Sequence, residues 1–191
     1  HGVKQAFDLG EHNSLIMDIG GGSTEFIIAN NKKILWKKSF QLGVSRLKEN
    51  FKPQDPIIQS DINNLNTHFE KELVSLMDAI SMYKPTTLVG SSGSFDSLAT
   101  MIGHKFLNKD VLLENTEFTF EMDNLKWAHQ YLLDSDYQKR ENTDGISKMR
   151  AKMIVIASVF IQFIIQKSKV GKVRLSTYSL KEGVILSQIN S

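Results

Sequence analysis

A carboxylate at the end of an apolar run, followed at once by three glycines and two hydroxyls, leaves a chain few folding choices. The run Met17-Asp18-Ile19-Gly20-Gly21-Gly22-Ser23-Thr24-Glu25 reads as a strand that stops at a tight turn, with Leu15, Ile16, Met17 and Ile19 supplying the buried strand. Consecutive glycines remove every Cβ that would keep main-chain N–H groups from closing on an anion. Asp18 and Glu25 bracket the turn with two carboxylates, which by themselves repel phosphate. The pattern implies a phosphate cradle made by Gly20, Gly21, Gly22, Ser23 and Thr24, with a metal ion or an activated water between the carboxylates and the substrate. The bland alternative is a plain β-turn with Asp18 as a hydrogen-bonding core carboxylate, and the density of the motif favours the cradle.

At 191 residues the chain is long enough for one domain with a real core, and a single domain over residues 1–191 is expected. A formal charge of +2 gives no compositional basis for nucleic acid as a partner, although a phosphate-rich substrate needs only a local basic patch. The absence of cysteine excludes disulfides and thiolate metal sites and is compatible with a reducing compartment, so a cytoplasmic location is expected. The longest apolar run, from Met153 to Ile165, is interrupted by Ser158 and Gln162 and falls short of the ~20 residues of a membrane span. It reads as a buried core helix, and no membrane partner is expected. The first residue is His1, and residues 2–7 read as the tail of a helix already under way, as in a piece of something longer.

Strands are predicted at Ser14–Ile19 and Thr24–Ala29 on either side of the glycine turn, and at residues 33–40 after a tight hairpin in which Asn30 and Asn31 tolerate positive φ. In that third strand Ile34, Trp36 and Phe40 share one parity and Lys37 and Ser39 the other, which predicts that the first three lie together on one buried face and the others on a wet one. A short helix from Val44 to Phe51 ends before Pro53, and apolar residues at three-and-four spacing predict one long helix over residues 57–83, stopped by Pro85. A buried strand at residues 86–89, a helix at 94–104, an edge strand at 115–121 and a helix at 123–133 follow. Residues 134–144 read as a loop or short helices, 145–167 as the core helix, 172–177 as a strand and 180–188 as a terminal helix. A three-strand meander followed by alternating strands and helices predicts an α/β fold. The expected form is the ribonuclease H-like half-domain of the actin and sugar-kinase superfamily, a mixed sheet with an N-terminal β-meander and flanking helices.

A second small-residue turn, Gly90-Ser91-Ser92-Gly93-Ser94, repeats the order of buried strand, turn and helix start. Two such turns facing each other would grip a polyanion, while taken alone this one also fits an ordinary N-cap by Ser92 or Ser94. Arg46 and Arg150 are candidates for a basic substrate path, with Lys148 on an adjoining face of the helix that Arg150 opens. Lys32, Lys33, Lys37 and Lys38 read as charges that blunt a turn and an exposed strand. His68, His104 and His129 lack metal-ligand spacing.

With these residues in view, Asp-Ile-Gly-Gly-Gly-Ser-Thr-Glu and the later Leu42-Gly43-Val44-Ser45-Arg46-Leu47 resemble the exopolyphosphatase and guanosine pentaphosphate phosphohydrolase (Ppx/GppA) family. The resemblance continues through Val89 to Ser94 with Leu98-Ala99, through Met149-Arg150-Ala151, and into Ser179-Leu180-Lys181-Glu182-Gly183-Val184. It covers essentially the whole chain, as the family's second half-domain. It implies hydrolytic release of phosphate from inorganic polyphosphate or from the 5′ end of guanosine pentaphosphate, with a divalent metal, usually Mg2+. Asp18 would match the metal-associated carboxylate and Glu25 the one that helps hold the metal or the attacking water. The glycine turn would cradle phosphate and Gly90 to Ser94 would touch it from the other side.

The resemblance also implies a catalytic-base glutamate and another phosphate turn in a preceding half-domain, and His1-Gly2-Val3 resembles the segment shortly downstream of that glutamate. The chain alone is therefore expected to have little or no phosphatase activity, and the N-terminal half-domain is an expected partner. Ser92 stands where the family prefers glycine, and Lys152 where an acidic residue is common. A non-catalytic phosphate- or nucleotide-sensing module and a kinase-like protein of the same superfamily are the alternatives. The choice of substrate, and whether the protein forms a homodimer, stay open.

Overall fold

In the computed structural model, which describes residues 12–91, 93–113 and 115–177, the glycine turn joins the first two strands of a six-stranded mixed sheet. Ser92, the helix tail read at residues 2–7, the motif from Ser179 to Val184 and the helix read at residues 180–188 lie outside the described residues. Strands β1 (Ser14–Ile19), β2 (Thr24–Ala29) and β3 (Ile34–Phe40) form the antiparallel meander. Strands β4 (Thr87–Gly90) and β6 (Lys172–Ser176) extend it in parallel, and β5 (Glu117–Phe120) closes the edge antiparallel to β6. The resulting order, β3-β2-β1-β4-β6-β5, is the ribonuclease H-like arrangement expected, with β5 at the edge.

The Asn30 hairpin forms, but without positive φ at either asparagine. The Asn30 side-chain oxygen instead accepts from the N–H groups of Lys32 (2.9 Å) and Lys33 (3.1 Å), a side-chain mimic of a backbone turn. Between Ile28 and Ala29 the pairing shifts by one residue, so Trp36 faces Ile28 while Ile34 faces Ala29. This bulge corrects the parity read from the sequence: Ile34 packs with Ile16, Ile27 and Val89 on one sheet face, and Trp36 and Phe40 belong to the main core on the other.

The helices are α1 (Val44–Phe51), α2 (Gln59–Glu72), α3 (Val74–Tyr83), α4 (Gly93–Ile102), α5 (Met122–Leu133), α6 (Tyr137–Glu141), α7 (Lys148–Ala151) and α8 (Ile154–Ser168). Two expected single helices are each broken. The helix read over residues 57–83 bends at Leu73 (φ −98°, ψ 16°), which lets α2 pack on α8 while α3 packs on β2 and β3. Neither Gly nor Pro marks that joint, and both halves keep helical spacing, so periodicity alone runs straight through it. The core helix read from residue 145 also starts later. Gly145 adopts φ +87° in a loop, α7 comes next, and Met153 (φ −128°) separates it from α8.

Helix α8 is buried at twelve of its fifteen positions, which makes it the centre of the helical layer rather than an amphipathic cover. Phe160 on α8 stacks on Phe69 of α2 at 4.3 Å between ring centroids and meets Phe26 of β2 edge-on at 6.1 Å, joining helices to sheet. Buried Arg140 on α6 joins that helix to α7 and to the loop before α2. Its guanidinium makes a two-pronged ion pair with Asp55 (2.8 and 3.1 Å) and donates to the carbonyls of Ala151 (2.8 Å) and Ser135.

The glycine turn is fixed from behind by α1. The carbonyls of Gly20, Gly21 and Gly22 accept hydrogen bonds from the N–H groups of Val44 (3.0 Å), Ser45 (2.9 Å), Arg46 (3.2 Å) and Gly43 (3.2 Å). These are donors that a helix start leaves without partners. Gly43 has an ordinary φ of −74°, so it is needed for space rather than for conformation. A Cβ there would lie 2.3 Å from the carbonyl carbon and oxygen of Gly21.

Gly43→Ala should force the turn off α1 and destabilise the protein by about 2 kcal/mol or more, read as a lowered denaturation midpoint. Asp55→Ala should cost roughly 2 kcal/mol by leaving the buried Arg140 charge without its carboxylate, the part-exposed position of Asp55 limiting the loss. A midpoint unchanged in either variant would contradict the corresponding contact.

Candidate functional site

The two small-residue turns meet at the carboxyl ends of β1 and β4, adjacent parallel strands in which Met17 pairs with Gly90. Such strand ends are where α/β sheets bind ligands. The Ser91 N–H donates to the carbonyl of Met17 at 3.0 Å, so the second turn starts beside Asp18.

Asp18 and Glu25 are direct cross-strand partners, so both half-buried side chains leave the sheet on the same face. Glu25 Oε1 accepts from the hydroxyls of Ser23 (2.6 Å) and Ser39 (2.9 Å), which fixes the carboxylate without neutralising it. Two like charges directly opposite in a ladder repel, and a bound cation relieves that repulsion. Asp18 and Glu25 offer hard oxygen donors, the type Mg2+ takes in ones and twos together with substrate phosphates and water. Among the described residues no cluster of three or more His, Asp or Glu converges to form a closed metal cage.

Gly21 and Gly22 are exposed, and their carbonyls point back to α1. The Gly20 N–H closes the turn on the carbonyl of Ser23 at 2.9 Å. Thr24 is fully buried and its hydroxyl donates to the carbonyl of Leu42 at 2.9 Å, so it acts as a strut under the turn. Ser94 is buried inside α4, and Gly90 is packed so closely that a Cβ would lie 2.1 Å from the Phe95 ring. Exposed Arg46 reaches back to the Gly22 carbonyl through Nε at 3.1 Å.

Arg150 comes from the short helix α7 and its guanidinium lies against Gly93, where a Cβ would be 1.6 Å from Nη2. It thus covers the first turn of α4. Lys148 turns to Glu141 at 3.4 Å. Ser45 ties the parts together: its hydroxyl donates to the Met153 sulfur at 3.3 Å and would lie 3.1 Å from a Cβ on Gly21. The histidines stand elsewhere. His68 packs on Phe51, and Nδ1 of His129 shares a 2.8 Å hydrogen bond with Ser158 between α5 and α8, where burial lowers its pKa.

Residue-type reasoning points to the carboxylates, the glycines and the two arginines as candidates, but not to the residues that support them. Ser39, Thr24 as a strut, Gly43 as a spacer and Met153 carry no signal of their own, because each acts through a partner distant in sequence. Asp96 escapes such reasoning as well. It lies one turn after Gly93 on α4, a spacing that could have flagged it. A cavity of about 280 Å3 lined by Lys48, Asp55, Tyr137, Arg140 and Lys152 is not part of the site, for none of the turn residues line it.

Comparison with known proteins places the chain. The chain is 24% identical over 190 residues to exopolyphosphatase 1 of Mycobacterium leprae, covering 99% of this chain and 55% of that protein. It is 25% identical over 181 residues to the guanosine-5′-triphosphate,3′-diphosphate pyrophosphatase of Pseudoalteromonas translucida, covering 93% of this chain and 34% of that protein. The chain spans about half the length of the mycobacterial relatives it matches. Among solved structures, an exopolyphosphatase from Cytophaga hutchinsonii superposes with a TM-score of 0.90 at 38% identity, covering 99% of this chain and 61% of that one. The Aquifex aeolicus Ppx/GppA member shares the fold at a TM-score of 0.77 and 22% identity, with 95% and 57% covered. The sequence profile of the Ppx/GppA phosphatase family matches residues 1–191, and the chain belongs to that family.

Proposed function

We propose that this chain is the phosphate-gripping half of a phosphoanhydride hydrolase that releases orthophosphate from inorganic polyphosphate or from guanosine pentaphosphate. The observation that carries the reading is the glycine turn. Its carbonyls are drawn back onto α1, while Gly21 and Gly22 stay exposed beside Asp18 and Glu25. The names of the relatives, an exopolyphosphatase and a guanosine pentaphosphate pyrophosphatase, support the same two substrates.

In this reading a terminal phosphate lies against the Gly20 to Ser23 backbone, with Ser91, Gly93 and Arg150 on its other side. Asp18 and Glu25 hold a divalent cation, Mg2+, which supplies charge neutralisation for the phosphoryl group. Ser23 and Ser39 keep Glu25 oriented toward that position. The residue that takes a proton from the attacking water comes from a preceding half-domain, so this chain binds phosphate without turning it over. Arg46 stabilises the turn through the Gly22 carbonyl and adds positive charge at its rim.

The test is phosphate release by the full-length protein from both substrates, with and without Mg2+. Chelation should abolish release, and Asp18→Ala should slow it by about 10²-fold or more, the scale seen when a charge-stabilising group is lost. An Asp18→Ala enzyme at full rate would remove that carboxylate from the reaction. The segment of residues 1–191 expressed alone should show no release above background, and turnover at the full-length rate would refute the need for a second half.

A further inference from the structure

Asp96 sits one helical turn into α4 at a position that burial makes costly. Among the described residues its buried Oδ1 has no hydrogen-bond partner. Burial pushes its carboxyl above the ordinary aspartate range, and the positive charge of Arg150 pulls it back. Gly93 and Asp96 are three residues apart and share one face of the helix. The Arg150 guanidinium occupies that same face, in the space a side chain on Gly93 would fill.

A cation against a helix N-terminus meets the positive end of the helix dipole and is disfavoured there. Asp96 is the acid in the first turn of α4, and it offsets this. The two side chains nevertheless make no direct ion pair, and among the described residues the guanidinium has no hydrogen-bonding partner. A closed Asp–Arg fork would occupy the donors that bind phosphate in two-pronged fashion, whereas attraction at a distance orients the guanidinium and leaves them free.

We infer that Asp96 is a positioning residue, holding Arg150 over the second small-residue turn so that an arriving phosphate meets a cation already in place. The inference rests on the proposed phosphate-binding reading of the site. Inside it, a half-buried carboxylate with one oxygen that accepts no hydrogen bond among the described residues is a local cost to stability retained at a binding position.

The experiment measures binding of inorganic tripolyphosphate to the full-length protein by calorimetry, together with thermal unfolding at neutral pH. Asp96→Asn keeps the shape and removes the charge, and should weaken tripolyphosphate binding about tenfold, as expected for loss of an oriented charge-assisted contact. The same variant should unfold at or above the wild-type temperature, because the desolvated charge is gone. Asp96→Glu should bind within a few-fold of wild type, and Asp96→Asn combined with Arg150→Ala should be no weaker than Arg150→Ala alone. Wild-type affinity in Asp96→Asn, or losses that add in the double variant, would overturn the inference. So would an Asp96→Asn protein that unfolds earlier and is not restored by Asp96→Glu, the mark of a purely structural role. Tripolyphosphate bound in this pattern but never hydrolysed with Mg2+ would count against the phosphatase reading and leave the positioning role intact.

Discussion

Everything at the site depends on a backbone-to-backbone contact, the docking of three glycine carbonyls onto the first turn of α1. A helix start and a glycine turn both carry main-chain groups in need of partners, and each supplies what the other lacks. The result is a turn whose carbonyl side is closed and whose opposite side is open. Side chains contribute by staying out of the way, at Gly43, or by bracing from below, at Thr24. The positive end of α1 is thereby occupied by protein carbonyls, so charge at the first turn has to come from elsewhere.

The second turn is built differently. Its first N–H extends the β1–β4 ladder through the Met17 carbonyl, and its cover is a cation delivered by a separate short helix. That helix is held by the carbonyl of Ala151, which Arg140 grips while pairing with Asp55. The ion pair therefore anchors the residue next to Arg150. Ser45 and Met153 complete the frame by joining the start of α1 to the start of α8.

Much of this is legible in the chain. Leu15 to Ile19 and the glycines after them specify a strand and its end, and the bounds of β1, β2 and α1 agree with those read from the residues. The breaks at Leu73 and Met153 are not legible. Each lies within a run of helical periodicity with no Gly or Pro at the joint, and each is imposed by which surface the next segment covers. The parity of Ile34 misleads for a related reason, since a one-residue shift between paired strands leaves no mark on either strand taken singly. At the site, residue chemistry points to Asp18, Glu25 and Arg150, but not to whether a hydroxyl faces outward or, as with Thr24, inward.

The bulge between Ile28 and Ala29 has a reach beyond its own strand. By absorbing Leu35 as an unpaired residue, it sets the phase in which β3 returns, so that Phe40 comes back opposite Thr24. Two residues later Leu42 is then placed to receive the Thr24 hydroxyl, and Gly43 arrives against Gly21 and Gly22. Without that extra residue the returning strand would present its other face, and a bulkier or polar position would meet the glycines. The hairpin thus behaves as a ruler: the chain length counted around its distant tip fixes the spacing of the backbone at the glycine turn.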